Sequence, residues 1–247
     1  MKLTVIGYWG GYPKANGATS CYVLEKDNFV LVMDLGSGAL SKIQNYYDIL
    51  DIDAVILSHY HHDHVADVGV LQYALLTHAY VSQTTSVLPI YGHQQDEAGF
   101  ESLTHDYTKG ISYDPSNPLK IGPFTITFLK TKHPVTCYGM RITDGHTVIV
   151  YTADTAYQDS WNQFAKDADL LITDCNFYGH QNAHQAGHMT SREAATIAKD
   201  ACVKELLLSH LPQFGEQTRL VQEASEHFSG PIHLAYEGFV WKKPSHL

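Results

Sequence analysis

The amino-acid sequence predicts an α/β fold in which β-sheets form a sandwich covered by helices. Two observations support this fold class. Strand-like apolar runs occur in both halves of the chain, and segments with a helical apolar rhythm lie between them. The length of 247 residues is enough to bury a substantial core. Because no repeat, low-complexity tract or linker interrupts the sequence, residues 1–247 are predicted to form a single domain. Other α/β folds fit the same pattern.

Strands and helices alternate in the first half of the chain. Strands are predicted at residues 3–7, 22–25, 29–34, 53–57 and 87–91, and helices at residues 40–50 and 65–79. Lys26-Asp27-Asn28 lies between two of these strands and is a hairpin signal. Residues 93–118 are polar and rich in Pro and Gly, which predicts surface helix and loop.

The second half continues the alternation. Strands are predicted at residues 124–129, 138–143, 147–151, 170–174, 205–208 and 232–235, and helices at residues 157–166, 191–203 and 218–228. Thr190-Ser191-Arg192-Glu193 has the pattern of a capping box, in which Glu193 reaches back to the cap residue. The apolar face predicted for the helix that follows consists of Ala194, Ala195, Ile197, Ala198 and Cys202.

The charge balance bears on which partners the chain can have. The formal net charge is −10, with 16 Lys and Arg against 26 Asp and Glu. A protein that binds a nucleic-acid backbone needs clustered positive charge, and the only adjacent basic pair is Lys242-Lys243. The composition therefore argues against a large polyanionic substrate.

The cysteines and the N-terminus indicate a reducing compartment. Cys21, Cys137, Cys175 and Cys202 lie far apart without a Cys-x-x-Cys pair, which predicts four reduced, buried thiols. Residues 1–7 have one positive charge and too short an apolar run for a signal peptide. No stretch approaches the roughly 18 apolar residues of a membrane span. We predict a cytoplasmic protein with no membrane partner.

A cluster of metal-ligand side chains follows a predicted strand, in the string Ser58-His59-Tyr60-His61-His62-Asp63-His64. Imidazole nitrogen and carboxylate oxygen suit zinc, manganese or iron. Four such groups on one backbone turn suit two adjacent ions better than one, with His59 and His61 facing the first ion. Asp63 and His64 then face the second ion, and His62 points away from both.

Three further ligand-type residues follow predicted strands, namely His133, Asp154 and His210. A histidine-rich surface loop, the alternative interpretation of the string, would not predict them. Together the seven residues predict a two-metal site and therefore a metal-dependent hydrolase. Two cations about 3.5–4 Å apart lower the pKa of a bridging water and stabilise charge on the attacked centre. Asp63 is placed to orient or deprotonate that water.

In these residues the sequence resembles the metallo-β-lactamase superfamily. The matching segments are the Ser58–His64 string, His133-Pro134, Thr152-Ala153-Asp154-Thr155 and Leu208-Ser209-His210-Leu211. The resemblance implies a four-layer αββα sandwich with a dinuclear site at one edge. It assigns His59, His61 and His133 to one metal, Asp63, His64 and His210 to the other, and Asp154 to the bridge. It implies two divalent ions, with zinc favoured and manganese or iron as alternatives.

A second set of motifs resembles the ribonuclease Z branch and related phosphodiesterases. These motifs are Gly187-His188-Met189-Thr190 and His133-Pro134-Val135-Thr136-Cys137-Tyr138-Gly139. In that branch a histidine paired with an upstream acid protonates the leaving alkoxide, and the matching positions here are His188 and Asp174. The branch more usually has Glu at the acid position. A helix-entry histidine bonded to backbone is the alternative for His188. His180 and His184 are predicted to be exposed rather than metal-bound.

The chain also departs from ribonuclease Z. That family inserts a long tRNA-binding arm between the third and fourth ligand motifs, whereas His133 and Asp154 are only 21 positions apart here. Residues 16–20 also lack the Arg-Asn pair that is usual after Pro13. These departures and the acidic charge argue against tRNA as the substrate. We predict a compact phosphodiesterase acting on a small phosphodiester, such as a cyclic phosphate or a nucleotide.

Other functions remain open. The first alternative is a lactonase or thioesterase of the same fold, which needs the metals but has less need of His188. The second alternative is a ribonuclease Z-type tRNA 3′-end endonuclease. A diiron oxidoreductase is disfavoured because 247 residues leave no room for a flavin module. A purely structural metal site is disfavoured because such sites typically use Cys. Relatives in this superfamily are commonly dimers, so the resemblance also implies a homodimer.

Overall fold

The computed structural model describes residues 1–82 and 86–243. The described chain divides into two compact units, one made of residues 1–114 and 236–242, the other mainly of residues 115–235. Each unit contains one seven-stranded sheet with helices. The prediction of a mixed α/β chain with two sheets is therefore confirmed, while that of a single domain stays a prediction.

The described elements are as follows in chain order. The strands are β1 (Lys2–Gly7), β2 (Cys21–Lys26), β3 (Phe29–Met33), β4 (Ala54–Ile56), β5 (Leu88–Gly92), β6 (Thr108–Ser112), β7 (Leu119–Ile121), β8 (Phe124–Lys130), β9 (Tyr138–Thr143), β10 (Val148–Tyr151), β11 (Leu170–Asp174), β12 (Glu205–Ser209), β13 (Ile232–Leu234) and β14 (Val240–Lys242). The helices are α1 (Ala39–Ile43), α2 (His62–Val65), α3 (Val68–Ser82), α4 (Glu97–Glu101), α5 (Ser160–Phe164), α6 (Ser191–Asp200) and α7 (Gln217–Ser225). Short 3₁₀ turns are formed by Ile49–Asp51 and His184–Ala186.

The sheet of the first unit has the strand order β14-β1-β2-β3-β4-β5-β6. β2 and β3 form the predicted hairpin, and both Asp27 (φ 52°) and Asn28 (φ 65°) adopt the left-handed conformation that a tight two-residue turn requires. From β3 to β6 the strands pair in parallel. Their carboxyl ends therefore lie at one edge of the sheet, which is where the Ser58–His64 string follows β4.

The sheet of the second unit has the order β13-β12-β11-β10-β9-β8-β7. From β10 to β13 the strands are parallel. β9 is antiparallel to both β8 and β10, so β8 runs in the same direction as β10. The carboxyl ends of β8, β10, β11 and β12 thus share one edge. The candidate residues His133, Asp154, Asp174 and His210 lie at or just after these ends.

Apolar side chains from strands and helices form the core of each unit. In the first unit, Leu71 and Leu75 of α3 pack with buried strand residues such as Val32 and Val55. In the second unit, α6 places Ala194 and Ile197 in the interior beside β11 and β12. Burial of apolar surface of this kind stabilises a fold by about 25 cal/mol per Å².

Three predicted elements differ from the structure. The helix predicted at 40–50 is two pieces, α1 and a 3₁₀ turn that begins where Asp48 accepts a hydrogen bond from the Leu50 N–H. The helix predicted at 157–166 is only the shorter α5. Residues 93–118 contain α4 as expected, but also β6, which pairs in parallel with β5.

The prediction that Cys202 is buried on the apolar face of a helix is wrong. Cys21, Cys137 and Cys175 are buried, but Cys202 is exposed. The reason is that α6 ends at Asp200, and Cys202 has a φ of 55°, which turns the chain away from the helix axis.

No helix in the described part of the chain is both long enough and apolar enough to cross a membrane.

Candidate active site

The first cluster of candidate residues comprises Asp34 and the Ser58–His64 string in the first unit. His59 and His64 have no solvent-exposed surface, and Asp63 is also buried. The His59 ring centroid lies 4.2 Å from that of His64 and 4.9 Å from that of His61. His62 is exposed, as predicted for the residue that points away. The string therefore brings its four ligand-type side chains together.

Asp34, which the sequence analysis did not single out, holds this cluster in place. Its Oδ2 accepts hydrogen bonds from His64 Nδ1 at 2.7 Å and from Ser58 Oγ at 2.8 Å. Its Oδ1 accepts a third from the Ser58 backbone N–H at 2.8 Å. Because His64 donates from Nδ1 to a carboxylate, its Nε2 is the nitrogen that could coordinate a metal. An outer carboxylate on the remote nitrogen of a histidine is the usual partner of a metal ligand.

Backbone from two glycine-containing segments approaches Asp63. The Gly11 N–H donates to Asp63 Oδ2 at 2.7 Å, so the segment Gly10-Gly11 after β1 fixes one carboxylate oxygen. A side chain at Gly36 would collide with the Asp63 carbonyl group, which explains why glycine is needed there. Asp63 Oδ2 lies 3.6 Å from His64 Nε2, so the two groups point toward a common space.

The second cluster lies in the second unit and comprises His133, Asp154, Asp174, His188 and His210. Two of its histidines face the same buried carboxylate. His210 Nε2 is 3.3 Å from Asp154 Oδ1, and His133 Nε2 is 3.7 Å from Asp154 Oδ2. Each histidine thus lies near a different oxygen of Asp154.

Gly187 orients His133. The His133 Nδ1 donates to the Gly187 carbonyl at 3.0 Å, which leaves Nε2 directed to Asp154. A Cβ at position 187 would lie 2.5 Å from Pro134 Cδ and 2.9 Å from His133 Nδ1, and the φ of Gly187 is 78°. Only glycine fits both this conformation and this close approach.

Asp174 and His188 are hydrogen-bonded to each other. His188 Nδ1 donates to Asp174 Oδ2 at 2.7 Å, so the shorter Asp side chain reaches the histidine directly. Asp174 is buried, and its two oxygens also accept from the backbone N–H groups of Thr155 and Asn176, each at 3.1 Å. The His188 ring stacks on the His210 ring with centroids 5.1 Å apart.

The electrostatics of this pair favour the charged forms. Burial alone would lower the pKa of His188, but the Asp174 carboxylate outweighs it and raises that pKa above its ordinary value. Burial alone would raise the pKa of Asp174, yet His188 and His210 lower it. Both shifts favour the pair of an imidazolium and a carboxylate over the neutral pair.

The donor chemistry of both clusters fits divalent metal ions. The side chains supply imidazole nitrogen and carboxylate oxygen, the ligands that zinc, manganese and iron accept. In the second unit, ligand atoms of Asp154, Asp174, His188 and His210 all lie within 4.8 Å of one another. His64 and His133 each have Nδ1 engaged by an outer acceptor, the arrangement that prepares Nε2 for a metal.

The second cluster opens onto a groove on the surface of its unit. The groove is lined by Lys132, His133, Pro134, Ala156, His184, Gln185 and Gly187. His180 and His184 are exposed, as predicted, so they are not part of the buried cluster.

The sequence of this chain is similar to a known protein family and to a named bacterial protein. The family model described as beta-lactamase superfamily domain matches residues 34–211, a range that includes every candidate residue above. The chain is 54% identical over 243 residues to the protein named "Probable metallo-hydrolase YhfI" of Bacillus subtilis, covering 98% of this chain and all of that protein.

Solved structures agree with the fold. The crystal structure of the metallo-β-lactamase fold protein YhfI from Bacillus subtilis superposes with a TM-score of 0.96 at 54% identity, covering 97% of this chain and 98% of that chain. The short form of human tRNase Z gives a TM-score of 0.80 at 19% identity, with 99% and 100% covered. A diphosphatase of the PhnP family gives 0.77 at 15% identity, with 98% and 97% covered. The last two likenesses concern the fold alone. The predicted metallo-β-lactamase fold is confirmed.

Proposed function

The chain belongs to the beta-lactamase superfamily, and from this premise we propose that it is a metal-dependent phosphodiesterase acting on a small phosphodiester. A hydrolase of some kind is supported by the 54% identity to a protein named as a probable metallo-hydrolase. The phosphodiester is supported by one observation above all. The His188 imidazole donates a 2.7 Å hydrogen bond to the buried Asp174 carboxylate.

The Asp174–His188 pair suits the departure of an alkoxide. An alkoxide is a poor leaving group unless it receives a proton as the P–O bond breaks. With Nδ1 bonded to Asp174, His188 has Nε2 as the nitrogen from which a proton can pass to the departing oxygen. Asp174 then stabilises the charged imidazole and fixes its orientation. Cleavage of a lactone or thioester has less need of such a donor.

The ligands are proposed to serve two divalent ions, with zinc favoured. This assignment is carried by the order of the sequence motifs and by family membership. It gives one ion His59, His61 and His133, the second Asp63, His64 and His210, and both Asp154. Bound metal would supply an activated water and would neutralise phosphate charge. Asp63, held by the Gly11 N–H, is proposed to orient that water.

A small substrate is supported by the segment that separates His133 from Asp154. The structure describes all of this segment, and it consists mainly of β9, β10 and the short turn between them. It has no room for a long tRNA-binding arm. With the net charge of −10, this favours a cyclic phosphate or nucleotide over tRNA, although human tRNase Z shares the fold.

The first experiment compares substrate classes. Phosphodiesters, lactones and thioesters are assayed with zinc and with manganese. We expect hydrolysis of phosphodiesters. Hydrolysis of lactones or thioesters without any phosphodiesterase activity would replace our proposal with the lactonase or thioesterase alternative.

The second experiment tests His188 through its leaving-group dependence. We expect His188→Ala to lower kcat/KM for a cyclic nucleotide, which expels a ribose alkoxide, by about 10²–10⁴-fold. The loss should be much smaller for bis-(p-nitrophenyl) phosphate, because nitrophenolate leaves without a proton. His180→Ala, an exposed histidine eight positions earlier that does not line the groove, is the matched control and should retain both activities. Equal losses on the two substrates would contradict the role of His188 as proton donor.

A further inference from the structure

Glu223 of α7 is a buried carboxylate that the proposed chemistry does not use. Only 6% of its surface is exposed. Its Oε2 accepts from the Gly179 N–H at 2.7 Å and from Ser191 Oγ at 2.6 Å, and its Oε1 accepts from Arg219 Nε at 3.0 Å. Burial alone would raise the pKa of Glu223, but these three donors lower it. A buried charge is costly without such partners, so these three contacts are the ones from which a role for Glu223 can be inferred.

Two of the three donors, Gly179 and Ser191, lie at the two ends of the segment that carries His188. We call residues 178–190 the His188 loop; it lies between β11 and α6. Gly179 is near its start, and Ser191 immediately follows its end. The ends also meet through the backbone, because the Phe177 N–H donates to Met189 at 3.2 Å and the Ser191 N–H to Phe177 at 3.1 Å. One carboxylate oxygen therefore ties the two ends of the loop to α7.

His188 depends on this loop for its position, whereas Asp174 does not. The His188 N–H donates to the Ala183 carbonyl at 3.2 Å, and its ring stacks on Phe177 with centroids 6.0 Å apart. Asp174 is instead the last residue of β11 and is held by Thr155 and Asn176. Movement of the loop would carry the imidazole away from a fixed carboxylate.

We propose that Glu223 is a positioning residue for the reaction, which holds the ends of the His188 loop so that the imidazole stays in hydrogen-bond reach of Asp174. The inference rests on the proposed function, since it assigns Glu223 a part in proton donation by His188. Glu223 acts through Gly179 and Ser191 rather than on the substrate. Proton transfer is sensitive to such placement, because a shift of about 1 Å can cost 10²-fold in rate.

The experiment compares three variants. Glu223→Ala removes the acceptor, and Glu223→Gln keeps its shape and one oxygen. Glu226→Ala is the matched control at the C-terminal end of the same helix, since Glu226 is exposed and forms a surface ion pair with Arg192 at 3.9 Å. Two quantities are measured. One is the ratio of kcat/KM for a cyclic nucleotide to kcat/KM for bis-(p-nitrophenyl) phosphate, and the other is the amide hydrogen-exchange rate of residues 178–190.

For Glu223→Ala we expect the kcat/KM ratio to fall about tenfold and loop exchange to rise about tenfold. Glu223→Gln should lie between wild type and Glu223→Ala, because neutral hydrogen bonds are about half as strong as charge-assisted ones. Glu226→Ala should match wild type in both quantities. A purely structural role would slow both substrates alike and leave their ratio unchanged.

The proposal is overturned if Glu223→Ala matches Glu226→Ala in the ratio or in loop exchange. If Glu223→Ala does not fold, Glu223→Gln decides by the same criteria, and an unchanged ratio or unchanged exchange in that variant overturns it. Failure of the proposed function is seen separately, as a wild-type protein that hydrolyses no phosphodiester. Loop exchange requires no activity, so an unchanged exchange rate would reject the Glu223 contact independently.

Discussion

At the scale of a single residue, Asp34 fixes the orientation of His64, a candidate metal ligand. Its three accepted hydrogen bonds fix Ser58 and set the tautomer of His64. The residue is buried and has a φ of 55°, a conformation that Asp adopts more readily than most side chains. Because a ligand held in one orientation loses less freedom when the metal binds, Asp34 should contribute to metal affinity without touching the ion.

We predict that Asp34→Asn weakens metal binding by about 10- to 100-fold. The reason is that a neutral amide replaces the ionised carboxylate that accepts the hydrogen bond from His64. The affinity is measured by competition with a chromogenic chelator. Asp67→Asn is the control, because Asp67 is also a buried acid but accepts from the Leu40 backbone N–H at 2.9 Å. Equal weakening by both variants would show that the effect is general destabilisation.

The sequence singles out the candidate ligands, but it does not single out Asp34 or Glu223. The candidate ligands lie in short motifs at strand ends, which leave a local signal in the sequence. Asp34 meets His64 across 30 positions, and Glu223 meets Gly179 across 44. The only local signal for Asp34 was an acid at the end of a predicted strand, followed by a Gly-rich turn.

At the scale of elements, the N-terminus of α6 is the best-defined helix start near the candidate residues. Thr190 Oγ1 accepts from the Glu193 N–H at 3.3 Å, and Glu193 Oε2 accepts from the Thr190 N–H at 2.8 Å. This confirms the predicted capping box. It succeeded as a prediction because all of its contacts lie within four consecutive residues.

We predict that Thr190→Ala lowers the free energy of unfolding by about 1 kcal/mol, the usual cost of losing an N-cap side chain. Denaturant unfolding measures the change. Thr196→Ala in the same helix is the control. Thr196 is half-buried, and its hydroxyl donates to the Arg192 carbonyl at 2.8 Å within the helix, so its loss should have little effect. A cap without energetic importance would give the same small change for both variants.

Strand β6 marks where element prediction failed. Its sequence, Thr-Lys-Gly-Ile-Ser, lacks clear alternation and contains glycine, which weakens a strand signal. It is a strand because β5 offers a parallel edge for pairing from Leu88 to Gly92. Strands such as β4 and β11 were predicted because a strand that is buried on both faces has a continuous run of mainly apolar residues.

At the scale of the whole molecule, the fold class was predictable because ligand motifs and strand order agreed along most of the chain. The same agreement predicts metal content. We expect two divalent ions per chain by elemental analysis, and a higher thermal midpoint with metal than after chelation. Ligand binding to the folded state alone stabilises it, by about 2.7 kcal/mol at a metal concentration 100 times Kd.

Matched variants test whether the bound ions depend on the candidate ligands. His59→Ala and His133→Ala come from different clusters, and each should lower the count below two. His184→Ala, an exposed histidine, should keep both ions. One ion per wild-type chain, with no hydrolysis of any ester, would contradict a dinuclear enzyme.

The peptide formed by Gly187 and His188 links two equilibria that are usually considered separately, namely metal binding and protonation of the histidine that donates a proton. Its first residue holds His133 through a carbonyl, and its second is bonded to Asp174. If a metal bound to His133 orders this peptide, then a peptide that is already ordered must bind the metal more tightly. The reason is that coupling between binding equilibria is reciprocal. Occupancy by metal and readiness to donate a proton should therefore rise and fall together, through one backbone unit that has no side chain at its first position.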